Sequence, residues 1–146
     1  MSLTGFLEAA GYRRIPLSRN GVGHFDANGT LAGRAVRVLV DTGAGSTVAS
    51  LSLAHELGLH PISLGKMGGG AGGTSLEVFQ LNDIELKLED AIPKPKALYA
   101  MDLSHVNAAL ALKGATPVEA IVGVDVFDRH MAVIDYGTSS LYLKDT

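Results

Sequence analysis

The chain of 146 residues contains no cysteine, and that one absence removes disulfides, thiolate nucleophiles and cysteine-based zinc sites together. It does not choose a compartment, because an exported domain can also lack the residue. No apolar run approaches the roughly 18 residues that a membrane-crossing helix needs. Positive charge is in slight deficit, with 12 Lys and Arg against 15 Asp and Glu. No global field therefore draws the molecule to nucleic acid or to an anionic membrane, and no basic cluster is interleaved with aromatics. Met1-Ser2-Leu3 opens with neither the basic nor the apolar segment of a secretory signal. Two compartments fit: the cytoplasm, or the periplasm or cell envelope if a signal segment has been removed.

What is present points to a folded domain. Hydrophobic residues make up 47% and charged residues 18%, a balance that supports a packed core rather than disorder. The length allows one ordinary domain and not two. Eighteen glycines favour strands joined by tight turns. Asn28-Gly29, inside 23–33, predicts a hairpin turn, since both residues tolerate positive φ. A strand over about 34–40 places Val36, Val38 and Val40 on one face and Arg37 on the other. Thr47-Val48-Ala49 follows as a short strand. Ser50 or Ser52 is placed to cap a helix through Leu57, closed by Gly58. Alternation through Leu76, Val78, Ile84, Leu86 and Leu88 predicts a second hairpin framework, and Pro93 and Pro95 interrupt any continuous strand. Ser104 is placed to cap a helix closed by Gly114. The end returns to strands at 120–123, 132–134 and 141–143. The pattern is mostly β, with two or three short helices and no internal repeat.

Residues 38–47, Val-Leu-Val-Asp-Thr-Gly-Ala-Gly-Ser-Thr, deliver one carboxylate, Asp41, from an apolar strand into a tight turn. Peptide hydrolysis by carboxylates needs an acid and a base beside one water molecule. Two carboxyl groups about 3 Å apart cannot both ionise, so they share a proton and divide the roles. The ionised one takes a proton from water while the protonated one polarises the carbonyl. Thr42 offers a small hydroxyl, and Gly43 lets the backbone turn and a substrate come close. An isolated Asp-Thr-Gly arises by chance in about one chain in thirty of this length, so its neighbours must decide. By itself the triplet reads equally well as an aspartate capping the amides of a turn.

Those neighbours resemble the retropepsin-like aspartic proteases, the small single-domain relatives found in retroviruses and bacteria. Val40-Asp41-Thr42-Gly43-Ala44 is similar to the family's catalytic loop, and Thr47-Val48 to its next strand. Met67-Gly68-Gly69-Gly70-Ala71-Gly72-Gly73 resembles the glycine-rich tip of its flap hairpin. Ile121-Val122-Gly123 resembles the segment that supports the catalytic loop ahead of a short helix, here about 124–129. The resemblance spans roughly 20–143 and is closer to bacterial than to viral members. It implies a single domain over 21–146 behind an N-terminal arm of 1–20, folded as a closed β-barrel or sandwich. It also implies catalytic Asp41, Thr42 and Gly43, and substrate contacts from Ala44, Gly45, Gly68, Gly69, Gly70, Ala71 and Gly72. Ile121, Val122 and Gly123 would form the supporting loop. No metal or other cofactor is implied. Each subunit of the family gives one aspartate, so the partners implied are a peptide or protein substrate and a second copy of the chain. Two departures stand out: Gly45-Ser46 replaces acidic residues of the viral loop, and 91–117 is longer than in viral members.

Other readings of the same residues are weaker. The glycines at 68–73 could cradle a phosphate, but a dinucleotide fingerprint needs a strand before and a helix after, and no Walker lysine-serine pair occurs. His55 and His60 are five apart, one more than the spacing that puts two imidazoles on one helix face. Ser46 lacks the Gly-x-Ser-x-Gly elbow. The reading from another class is a catalytically silent module that keeps the protease fold for dimerisation or peptide binding. Retention of Asp41, Thr42 and Gly43 together favours the enzyme, an aspartic endopeptidase.

Overall fold

In the computed structural model, which describes residues 2–69 and 75–146, two β-sheets share one large apolar core. The elements in chain order are α1 (Leu3–Ala9), β1 (Tyr12–Pro16), β2 (Ser18–Arg19), β3 (Phe25–Leu31), β4 (Arg34–Val40), β5 (Val48–Ser50) and α2 (Leu51–Glu56). There follow β6 (Ile62–Gly69), β7 (Ser75–Leu81), β8 (Leu86–Leu88), β9 (Leu98–Met101), α3 (Ser104–Leu112), β10 (Ala120–Val122), α4 (Val124–Arg129), β11 (Val133–Asp135) and β12 (Ser140–Lys144). The smaller sheet runs β1-β12-β11, and the larger runs β2-β3-β4-β10-β5-β9-β7-β6, with β8 added alongside β3. Ile15, Leu141 and Leu143 of the small sheet pack with Phe25, Val38, Val40 and Leu88 of the large one. The arrangement is the mostly β, sandwich-like fold expected. The larger strand path stays open between β2 and β6 and does not close into a barrel.

β4 is the pivot of the architecture. Val36, Val38 and Val40 are buried in the main core, while Leu39 is buried in a second cluster on the opposite face. A buried aliphatic side chain is worth about 1.5–3 kcal/mol. A one-residue slip would move every one of them to the wrong face, so the register is strongly specified. β4 pairs antiparallel with β3 and parallel with β10.

Three local expectations change in the structure. Asn28-Gly29 lies within β3, not at a turn; the chain reverses at Ala32-Gly33, whose φ values are 49° and 84°. Gly29 serves close approach instead, since a Cβ there would lie 2.1 Å from the Lys87 carbonyl oxygen in β8. Hairpin signals and strand glycines look alike in sequence, and the pairing with β8 is a long-range contact. Residues 76–88 likewise do not pair with each other: β7 lies between β6 and β9, and β8 joins β3. Third, Ser104 begins α3 and Leu103 stands at the cap; the Asp102 carboxylate instead accepts the Ser104 amide and hydroxyl. α2 starts as read, with Ser50 Oγ accepting the Leu53 amide and Gly58 at φ 72°. An amino-terminal helix, α1, is also present, capped by Ser2, which accepts the Gly5 amide. No described helix is long and apolar enough to cross a membrane.

Candidate active site

The ladder between β4 and β10 continues into the loop that follows, because the Asp41 amide donates to the Val122 carbonyl at 3.1 Å. Asp41 is half-buried at the end of the strand, and Thr42, Gly43 and Gly45 are exposed. Asp41 Oδ1 accepts the Gly43 amide at 2.8 Å, and the Asp41 carbonyl accepts the Ala44 amide at 3.2 Å. Oδ2 has no hydrogen-bond partner among the described residues, and neither has the Thr42 hydroxyl. The carboxylate is thus held by one oxygen and open at the other.

The supporting segment clamps this loop from the far side. Ala44 accepts the Val124 amide at 2.8 Å, and a Cβ added to Gly123 would lie 2.5 Å from the Ala44 carbonyl oxygen. Gly123 is required for that approach, not for an unusual φ. Its amide donates to Thr47 Oγ1 at 3.2 Å, and Thr47 Oγ1 donates to Asp125 Oδ1 at 2.8 Å. The Thr47 amide donates to Asp125 Oδ2 at 3.1 Å. Thr47 is fully buried, so these bonds satisfy donors that water cannot reach. Asp125 also accepts the Val126 amide at 2.9 Å, in the first turn of α4, where a negative charge is favoured. Thr47 and Asp125 are therefore positioning residues that the sequence reading did not place in the site. The only signal was an acidic residue two positions after Gly123 at a helix start.

Strand alternation defines a face around Asp41. The register sets Leu39 opposite Asp26 on β3 and opposite Ile121 on β10, and Ile121 opposite Val48 on β5. Two residues on from Leu39, Asp41 emerges on this same face. Asp26 is 2% exposed, with Oδ2 3.5 Å from the Arg37 guanidinium and Oδ1 without a hydrogen bond among the described residues. Burial raises its pKa above the ordinary carboxylate value, against the opposing pull of Arg37. Arg37 is tied in turn to Glu119, whose carboxylate accepts the Arg37 amide.

Of the residues singled out from sequence, 41–45 and 121–123 are brought together. Gly68 and Gly69 end β6, separated from β4 by β10, β5, β9 and β7 along the sheet. Gly70, Ala71 and Gly72 lie outside the described residues. His55, His60 and Ser46 are exposed. Among the described residues no group of three or more His, Asp or Glu side chains is arranged to hold a metal ion.

Comparison with known proteins agrees with this fold. The model of a family described as aspartyl protease matches residues 27–126. A retropepsin-like aspartic protease from Rickettsia conorii superposes with a TM-score of 0.55 at 19% identity, covering 91% of this chain and 98% of its own. The retroviral protease-like domain of Ddi1 from Leishmania major gives 0.55 at 18% identity, covering 83% and 88%. The EIAV protease, solved with the inhibitor HBY-793, gives 0.50 at 22% identity, covering 71% and 85%. At these identities the structures speak to the fold, which is retropepsin-like. No curated protein matches the sequence. The family model covers well over half of the chain and includes Asp41, its loop and the Gly123 support: the chain belongs to the aspartyl protease family.

Proposed function

We propose that the chain is an aspartic endopeptidase whose active site forms between two copies, each contributing Asp41. The observation that carries this reading is the open Oδ2 of a carboxylate whose loop is otherwise clamped. One such group is half of an acid–base pair. The other Asp-x-Gly turn, at Asp135, has both oxygens occupied within its own turn and is not free to serve as the second. A second copy supplies the missing carboxylate, and water held between the pair is the nucleophile.

Thr42 and Gly43, exposed at the tip of the loop, are the residues a partner copy would meet. β12 is paired on both edges within its own chain, by β1 and β11, so that strand has no free edge for a second copy. The substrate in this reading is an extended peptide bound across the Asp41 face, with backbone contacts from Ala44 and Gly45. The β6–β7 hairpin acts as a flap that admits and then covers it.

Peptidase rate measured over a dilution series, beside sedimentation of the same samples, tests the shared site. Specific activity should fall with dilution in step with the dimer. A monomeric chain that cleaves peptide at full rate would contradict it.

A further inference from the structure

The two strands that converge on the Asp41 loop each set an apolar side chain on the Asp41 face just before it. Leu39 precedes Asp41 by two residues, Ile121 precedes Gly123 by two, and the register puts them side by side. On a bare sheet they would floor any groove leading to Asp41. They are only 6% and 7% exposed, because Leu103, Leu110, Ala115 and Val118, from α3 and its flanks, lie over them. What stays half-open around that cluster is a rim of Val22, Ala44, Val48 and Val106.

Leu110 is the one buried residue of α3. Asn107 ties the helix down: its side-chain amide donates to the Val118 carbonyl at 3.0 Å, and its oxygen accepts the Val118 amide at 2.8 Å. A segment that packs on apolar floor residues beside a candidate catalytic carboxylate controls how deep a pocket the substrate finds there.

We infer that the segment from Leu103 to Val118 is a specificity-determining wall, which makes the apolar surface beside Asp41 shallow and selects small side chains next to the cleaved bond. The inference rests on the peptidase reading above and adds the substrate preference. Val106 forms the adjustable edge of the wall, and Leu110 closes the floor.

The test profiles the native chain and the variants Leu110→Ala, Val106→Ala and Val106→Phe on a peptide library varied at the two positions flanking the cleaved bond. Thermal unfolding is recorded for each. The native chain should prefer Ala and other small residues. Leu110→Ala and Val106→Ala should raise the ratio of kcat/KM for Phe- or Leu-containing over Ala-containing peptides, by about ten-fold for the better of the two. Val106→Phe should move the ratio the other way. If Leu110→Ala does not fold, the two substitutions at half-buried Val106 carry the test. Rates that fall in folded variants with the ratio unchanged are what a purely structural helix would give, and they overturn the inference alone. A native chain that prefers large apolar side chains also overturns it alone. A native chain that cleaves no peptide while dimeric overturns the peptidase reading and this inference with it.

Discussion

Asp41-Thr42-Gly43 ends β4 and Asp135-Tyr136-Gly137 ends β11, and in both turns Oδ1 of the aspartate accepts the amide of the glycine two residues on, at 2.8 and 3.0 Å. The turns part at the second oxygen. Asp135 Oδ2 accepts the Thr138 amide and, at 2.6 Å, the Thr138 hydroxyl. These bonds, the Thr138 hydroxyl foremost, hold its pKa below the ordinary value. Asp41 Oδ2 has no partner among the described residues, and the polar clamps that hold its loop run through Ala44, Thr47, Gly123 and Asp125 instead. The second turn is anchored through Tyr136, whose ring meets Phe25 edge-on at 4.9 Å with the Arg19 guanidinium over both rings. One carboxylate is consumed in making its turn. The other is spared because its surroundings make the turn for it, and a carboxylate must be spared to do chemistry.

The sharpest way to break this contrast is to remove the outside clamp. Asp125→Ala leaves the Thr47 amide and hydroxyl without their acceptor, and should cost about 2–5 kcal/mol in denaturant unfolding. Cleavage should fall further than the lost folded fraction explains. Gly123→Ala forces its Cβ against the Ala44 carbonyl and should cost about 1–3 kcal/mol, with a loss of rate in the fraction that stays folded, measured by the same two assays. A smaller, pH-dependent effect is expected at Asp26. Its raised pKa means that its protonated form favours the folded state: the relative benefit is complete below the unfolded value of 3.8 and is lost as pH rises through the folded pKa. Asp26→Asn should therefore stabilise the protein at neutral pH and make little difference below about pH 3.8, as read from melting curves across pH.

Much of this was legible in the chain itself, and what escaped shares a cause. The β4 alternation, the Ser50 cap and the Gly58 stop are local patterns, and each appears where the sequence places it. Asp41 and its loop could be read because a strand, an aspartate and a glycine are contiguous. Gly29 reads as a turn residue in sequence because its reason for being glycine, the Lys87 carbonyl, lies nearly sixty residues away. Thr47 and Asp125 meet across 78 positions, so neither carries a local mark of its role. The burial of Leu39 and Ile121 beneath the α3 segment is hidden for the same reason, since α3 alone reads only as a short apolar helix.

The comparison of the two turns comes down to paired substitutions measured side by side for peptide cleavage and for unfolding midpoint. Asp41→Asn keeps an oxygen for the Gly43 amide, so it should leave the midpoint near the native value while lowering cleavage by at least about 10²–10⁴-fold. Asp135→Asn should keep cleavage at native levels and lower the midpoint at neutral pH. That second loss should close as pH falls below about 3.8, because stabilisation from a lowered carboxylate pKa is lost on protonation. Cleavage that survives in Asp41→Asn, or that disappears in a folded Asp135→Asn, would contradict the assignment of chemistry to the first turn and structure to the second.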